Sequence, residues 1–267
     1  MEIRDHVLVV TGGGNGIGRE VVLALLAQGA RVAAVDLRPD GLAETARLAA
    51  AGDRLSTHTA DVSDPTAVAA LPAAVVAAHG QVDGVVNVAG IIQRFARVVD
   101  LPDGEIEKVM AVNFWGVVHV STAFLPHLLE RPAACLVNVS SMGALTPVPG
   151  QAAYGASKAA VKLFTEGLYA ELRGTPVAVT VVFPGGVGTQ IAQNSGATIP
   201  GAQERSAAQA GKLTTPADAA AQIVRAVRTG PYRVTIGRDA RMLDRLSRLA
   251  PRRATVLIAD KMASLLS

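Results

Sequence analysis

Tyr154 and Lys158 stand four residues apart in the run Tyr154-Gly155-Ala156-Ser157-Lys158, with Ser141 thirteen residues upstream. On a helix, positions i and i+4 share a face about one turn apart, so the ammonium of Lys158 can stand beside the phenol of Tyr154. A free phenol has a pKa of about 10, whereas a general acid or base works best with a pKa near the operating pH. Nearby positive charge stabilises the phenolate, and Lys158 is one source of it. The set points to proton transfer at an alcohol or carbonyl oxygen. Taken alone, the Tyr-Lys pair also reads as one face of an amphipathic helix. A site for an oxidised nicotinamide, the second source of positive charge, decides between the two readings. Adjacent Ser140 competes for the third place, and the spacing to Tyr154 favours Ser141.

Such a site opens the chain. Val7-Leu8-Val9-Val10 reads as a buried strand, Thr11-Gly12-Gly13-Gly14-Asn15-Gly16-Ile17-Gly18 as a turn, and Arg19 to Leu26 as a helix closed by Gly29. Glycines let backbone approach a pyrophosphate closely, and the free N–H groups and dipole of the helix N-terminus attract its charge. A second strand, Arg31 to Val35, ends at Asp36, eighteen residues after Gly18. A carboxylate there can accept hydrogen bonds from the adenosine ribose and would repel a 2′-phosphate, so the expected cofactor is NAD rather than NADP. Arg38 argues the other way, because arginine near this position can bind a 2′-phosphate. Asp36 can also be no more than a strand-ending turn residue.

These residues resemble the short-chain dehydrogenase/reductase family in its short, single-domain branch, over nearly the whole chain to about Arg228. Thr11 to Gly18 matches the family's TGxxxGxG turn, and Asp61-Val62 matches the Asp-Val pair that contacts adenine. Asn87-Val88-Ala89-Gly90 is similar to the NNAG motif, with Val88 in place of the second Asn. Pro184-Gly185-Gly186-Val187-Gly188-Thr189 matches the PGxVxT segment that closes over the nicotinamide. The resemblance implies a catalytic set of Asn113, Ser141, Tyr154 and Lys158. Hydride would move between nicotinamide and substrate carbon, Tyr154 would exchange the proton and Ser141 would hold the substrate oxygen. Lys158 would also bind the nicotinamide ribose, and Asn113 would hold a proton-relay water, although an Asn in an apolar helix can simply cap or bend it. Cofactor contacts are expected from Gly12, Asn15, Gly16, Ile17, Gly18, Asp36, Asp61, Val62, Asn87, Ala89, Gly90, Tyr154, Lys158, Pro184, Gly185, Val187 and Thr189. Asn15 supports NAD, since NADP-preferring relatives often carry a basic residue there. A homodimer or homotetramer is also implied.

Composition agrees with that reading. The 267 residues are 50% hydrophobic but only 3% aromatic, with mean hydropathy +0.34. The core must be Ala, Val and Leu, as close packing of helices on a parallel sheet permits. Strand signals fall near 7–10, 31–35, 55–59, 83–88, 134–139, 177–183 and 233–236. Helical patterns fall near 17–28, 40–50, 65–78, 104–129, 152–173 and 216–229. The alternation predicts an α/β fold: a Rossmann-type doubly wound parallel sheet of seven strands with helices on both faces. One domain over 1–239 and a basic extension over 240–267 are expected. The lone Cys135 excludes an intramolecular disulfide, no metal-ligand spacing occurs, and no apolar run reaches the length of a membrane span. The expected compartment is the cytoplasm.

The pocket is expected to draw on Gln93, Met142, Gln151, Gly186 and Ile191, with Gln93 or Gln151 free to bind one polar group. Most nearby positions are apolar, which suggests a fairly hydrophobic secondary alcohol or ketone. Arg94 and Arg97 leave open an acidic or CoA-linked substrate, and a non-catalytic NAD-binding regulator is the rival from another class. Residues 190–213 are expected to form a lid. From Arg225 to Arg253 nine arginines face only Asp239 and Asp244. Arg241, Arg245, Arg248 and Arg252 recur at helical spacing beside Leu243, Leu246 and Leu249. This basic amphipathic helix can lie on an anionic membrane surface, or its leucines can pack on the body or on a second subunit. The near absence of aromatics argues against nucleic acid.

Overall fold

The computed structural model describes residues 1–197 and 213–263. Seven strands, β1 (Val7–Thr11), β2 (Arg31–Asp36), β3 (Leu55–Thr59), β4 (Gly84–Asn87), β5 (Ala134–Val139), β6 (Val177–Pro184) and β7 (Arg233–Ile236), form one sheet in the order β3-β2-β1-β4-β5-β6-β7. Every pairing is parallel. The sheet is the expected doubly wound one, and its order reverses between β1 and β4, where such sheets bind ligands at their carboxyl ends.

The sheet is buried on both faces because successive strand residues point to opposite sides. Leu8 and Val10 join one core with Val22 and Leu25 of helix α1 (Gly16–Ala27) and Ile223 and Val227 of the helix Pro216–Thr229. Val7 and Val9 join the other, with Val75 of the helix Leu71–His79, Phe124 of Gly116–Leu129 and Leu168 of Ala152–Glu171. Thr215 caps Pro216–Thr229, its hydroxyl accepting from Asp218 N at 3.0 Å.

Two long helices of the sequence reading are interrupted. The 65–78 pattern divides into α3 (Pro65–Ala69) and α4 (Leu71–His79), because Pro72 has no N–H to continue the ladder. The 104–129 pattern divides into α5 (Glu105–Met110), a π-helical segment Ala111–Trp115 and α6 (Gly116–Leu129). Contrary to the sequence expectation, the continuous stretch Glu105–Leu129 is long and apolar enough to cross a bilayer by length and composition. Its Val109, Val117, Val120, Phe124 and Leu128 are buried in the fold instead. The remaining helices are α2 (Pro39–Ala49), α7 (Ala152–Glu171), α8 (Ile191–Asn194), α9 (Pro216–Thr229), α10 (Arg238–Leu249) and α11 (Pro251–Lys261).

The boundary drawn after residue 239 falls inside α10, whose Ala240 and Leu243 are buried against the body. Most of the expected 190–213 lid lies outside the described residues. At the amino edge of the sheet, buried Asp83 accepts from Val7 N at 2.7 Å, Gln81 Nε2 at 2.8 Å and Arg131 Nε at 2.7 Å.

Candidate active site

A cleft of about 550 Å³ opens at the carboxyl ends of β1, β2, β3 and β4. Gly12, Asn15 to Gly18, Asp36, Asp61 with Val62, Ala89 with Gly90, and Thr189 all line it, as does Ile191 from the expected substrate set. The glycine turn owes its shape to close backbone approach. Gly12 has φ +72°, and a Cβ there would stand 2.9 Å from Ala89 N, while one on Gly18 would strike the Gly12 carbonyl. The turn is then wired from outside. Asp36 Oδ2 accepts from Gly14 N at 2.9 Å, Thr45 Oγ1 donates to Gly13 O at 2.8 Å, and the Arg19 guanidinium reaches the carbonyls of Gly14 and Gly41. A phosphate-sized space beside free amides at the start of α1 fits a dinucleotide, and the carboxylate of Asp36 at the cleft wall fits its ribose end. Arg38 sits at the mouth with Nη1 donating to Asn194 Oδ1 at 2.9 Å.

Asn87, Tyr154, Lys158, Pro184, Gly185 and Val187 do not line this cleft. Asn87 is buried, and its amide donates to Asn138 Oδ1 at 2.9 Å, inside a polar chain that continues from Asn138 to Thr165 at 3.0 Å. Its role in the fold is to join β4 to β5. The 184–189 segment is held by Asp239 at the start of α10, whose Oδ2 accepts from Gly186 N at 2.7 Å. Side chains at Gly185 or Gly186 would collide with that carboxylate or with Leu213. Local motifs do not reveal Asp239, because it lies fifty-three residues from its partner.

Tyr154 and Lys158 share one face of α7, and Ser141 follows β5 as the N-cap of the short turn Met142–Ala144. A Cβ on Gly143 would stand 3.5 Å from both Ser141 Oγ and Tyr154 Cε1, so the two side chains meet over that glycine. Ser141 Oγ accepts from Gly143 N at 3.1 Å, which leaves its hydroxyl hydrogen for another oxygen. Ser140 is committed elsewhere, donating to Lys158 O at 2.7 Å from a buried position. Lys158 Nζ donates to Val139 O at 3.1 Å, and it stands with Asn113 Oδ1 around Gly90, each 3.2 Å from where a Cβ would lie. Burial raises the Tyr154 pKa, with the hydrogen bond to Ser141 pulling the other way. Burial lowers the Lys158 amine to about 8. The chain by itself therefore holds the phenol protonated, and lowering its pKa requires further positive charge.

Asn113 lies in the π-helical segment, a widened turn of the kind found at functional sites. Oδ1 accepts from Ile91 N at 2.8 Å, and Nδ2 donates to Ile91 O and to Ser157 Oγ, both at 2.9 Å. It clamps the loop after β4 onto α7. Gln93 and Gln151 each spend one end of the amide on the fold, and among the described residues Gln93 Nε2 and Gln151 Oε1 have no hydrogen-bond partner. Gln93 is fully buried and its Oε1 accepts from Ala153 N at 2.6 Å and Tyr154 N at 3.1 Å, so it caps α7 from another segment. Gln151 is buried as well and donates to Gln93 O at 2.9 Å. Beside Tyr154, Ile92, Ala192 and Ala197 form a small apolar cluster with Phe95 and Ile191. Met142 and Gly186 are half-buried.

The model of the short chain dehydrogenase family matches residues 6–200. The chain belongs to the short-chain dehydrogenase/reductase family. Within it, the chain is 41% identical to the putative oxidoreductase SadH of Mycobacterium tuberculosis, over 91% of this chain and 90% of the relative. It is 39% identical to 1-deoxy-11-beta-hydroxypentalenate dehydrogenase of Streptomyces avermitilis, over 71% of each. A solved short-chain dehydrogenase/reductase from Burkholderia phymatum in complex with NAD superimposes with a TM-score of 0.83 at 26% identity, over 96% of this chain and 97% of that one. This member of the family is an oxidoreductase with a Rossmann-type, NAD-binding fold.

Proposed function

We propose that this short-chain dehydrogenase uses NAD(H) to interconvert a fairly hydrophobic secondary alcohol and its ketone, with Tyr154 exchanging the hydroxyl proton. The observation that carries the reading is the meeting of Ser141 and Tyr154 over Gly143, with Lys158 and Asn113 joined around Gly90 at the cleft wall. Bound NAD supplies the hydride acceptor and a positive charge. The hydroxyl of Ser141, its oxygen already accepting from Gly143 N, donates to the substrate oxygen and fixes it beside the Tyr154 phenol. Lys158 has spent one of three donor positions on Val139 O, leaving others for the ribose and for the field that stabilises the phenolate. Asn113 has both amide hydrogens engaged and retains a carbonyl lone pair for the relay water.

The apolar cluster of Ile92, Phe95 and Ile191 beside Tyr154 supports a hydrophobic substrate, and the hydroxy compound in the name of the Streptomyces relative supports an alcohol as the group oxidised. The Asp36 carboxylate at the ribose end and the tie between Arg38 and Asn194 support NAD over NADP. The test is reduction of NAD and of NADP over a panel of hydrophobic secondary alcohols, sterols included. NAD-linked turnover of some members supports the reading. NAD binding with no turnover across a panel that also contains acidic and CoA-linked alcohols would favour a regulator.

A further inference from the structure

We propose that the hairpin of α10 and α11 is a docking surface for an anionic phospholipid bilayer. The hairpin lies beyond residues 6–200, the part matched by the family model. Residues 238–263 hold seven basic side chains against three aspartates, a net +4 in a chain whose total is +3, so the rest of the molecule is nearly neutral.

The fold sorts these charges by side. Ala240, Leu243 and Asp244 of α10 are buried on the side that packs on β7, and Ala254 is buried in α11, which packs on α10. Two of the aspartates are used inward. Asp239 holds Gly186 N, and Asp244 accepts from Arg233 Nη2 at 2.7 Å and pairs with Arg248. The opposite face carries Met242, Arg245 and Leu249 along one stripe of α10, at helical spacing. Arg252, Arg253 and Val256 form the corresponding stripe of α11 and line a shallow groove together with Leu257 and one exposed carboxylate, Asp260. Leu249 is 86% exposed at the apex, where Ala250 and Pro251 turn the chain between the helices. Among the described residues, Arg245, Arg252 and Arg253 have no ion-pair partner.

Guanidinium groups match phosphate geometry, and exposed apolar side chains among them can enter the headgroup boundary. Two copies meeting through this face would bring like charges together. Nucleic acid is disfavoured because residues 238–263 contain no aromatic side chain for base stacking. The leucines thus divide between the two sequence readings: Leu243 packs on the body, and Leu249 faces outward.

Co-sedimentation of the full chain with vesicles tests this, independently of the reaction assigned to the cleft. The expected result at about 0.15 M salt is binding to equal parts phosphatidylglycerol and phosphatidylcholine, with little binding to phosphatidylcholine alone. Combined Arg245→Glu, Arg252→Glu and Arg253→Glu should weaken partitioning at least about 100-fold, since each basic residue near such a surface contributes about a fivefold factor. Leu249→Ser should weaken it about threefold or more with the charge intact. Circular dichroism and NAD binding confirm that the variants are folded. Absence of binding to the anionic vesicles, equal binding by the triple variant, or a charge-dependent dimer or duplex DNA complex in place of lipid binding would overturn the proposal.

Discussion

The two ends of the sheet each carry a buried polar network, and they differ in what they leave unspent. At the amino edge, Asp83 is closed on itself, with its two oxygens accepting from Val7 N, Gln81 and Arg131. At the carboxyl edge, Ser141 and the Tyr154 phenol share a hydrogen bond that a substrate oxygen can enter, the Tyr154 ring packs at the apolar cluster, and Lys158 keeps donors beyond the one given to Val139. A closed network lowers the energy of one conformation and has nothing to offer a ligand. An open one behind Gly90 of the cleft wall is poised for a partner, and its buried lysine, with a pKa of about 8, reflects the cost of holding it there.

Substitutions that separate stability from chemistry test this contrast. Ser141→Ala should lower turnover about 10²–10³-fold, the scale of losing one donor to a developing oxyanion, while the unfolding free energy changes by less than about 1 kcal/mol. Steady-state kinetics and denaturant titration on the same sample check both halves. Asp83→Ala should do the reverse. It strips the buried Val7 N–H and Arg131 of their acceptor and should cost about 3 kcal/mol of stability, with kcat unchanged in the folded enzyme. A large loss of kcat in Asp83→Ala below its unfolding transition would erase the distinction between the two edges.

Gln93 belongs to both classes, because its Oε1 ends the helix that carries Tyr154. Gln93→Leu removes an acceptor from two backbone N–H groups and should cost about 1–2 kcal/mol. It should also reduce kcat through displacement of Tyr154. Gln93→Glu keeps the acceptor and should recover most of the stability, but its carboxylate disfavours the phenolate and should move the alkaline rise in kcat to higher pH. An unshifted pH profile in Gln93→Glu would count against the helix end as the determinant of Tyr154's position.

A further effect concerns Lys158 and the pH dependence of the cofactor-free protein. Its folded pKa is about 8 against an ordinary 10.5. Between those values the unfolded chain holds a proton that the folded chain has lost, so this contribution to stability rises with pH through that window. Lys158→Met should abolish the rise. The difference in unfolding free energy between wild type and variant, followed from about pH 7 to about pH 10, should grow steadily, and a flat difference would contradict the burial of a neutral amine.

Much of this was legible in the sequence where the physics is local. The glycine turn and the i, i+4 placement of Tyr154 and Lys158 depend on neighbours within one turn, and the strands emerge within a residue or two at most ends. The supports of the site were not legible. Gln93 reaches Ala153 across sixty residues, Asp239 reaches Gly186 across fifty-three, and Asp83 reaches Val7 across seventy-six. No periodicity records such pairs, and the type and place of Gln93 in the chain do not reveal that its Oε1 caps α7. The π turn at Asn113 and the break before Leu71 are further cases. An apolar pattern marks which face of a helix is buried, and it does not register a widened turn or a ladder that Pro72 interrupts.

The central claim is that Tyr154 carries the proton while the cleft holds the cofactor without it. The most direct measurement is NAD affinity by calorimetry together with NADH formation on the best alcohol of the panel, for wild type and Tyr154→Phe. The account predicts a loss of turnover of about 10²–10⁴-fold with NAD affinity within about twofold. Turnover retained by Tyr154→Phe, with NAD still bound, would contradict it.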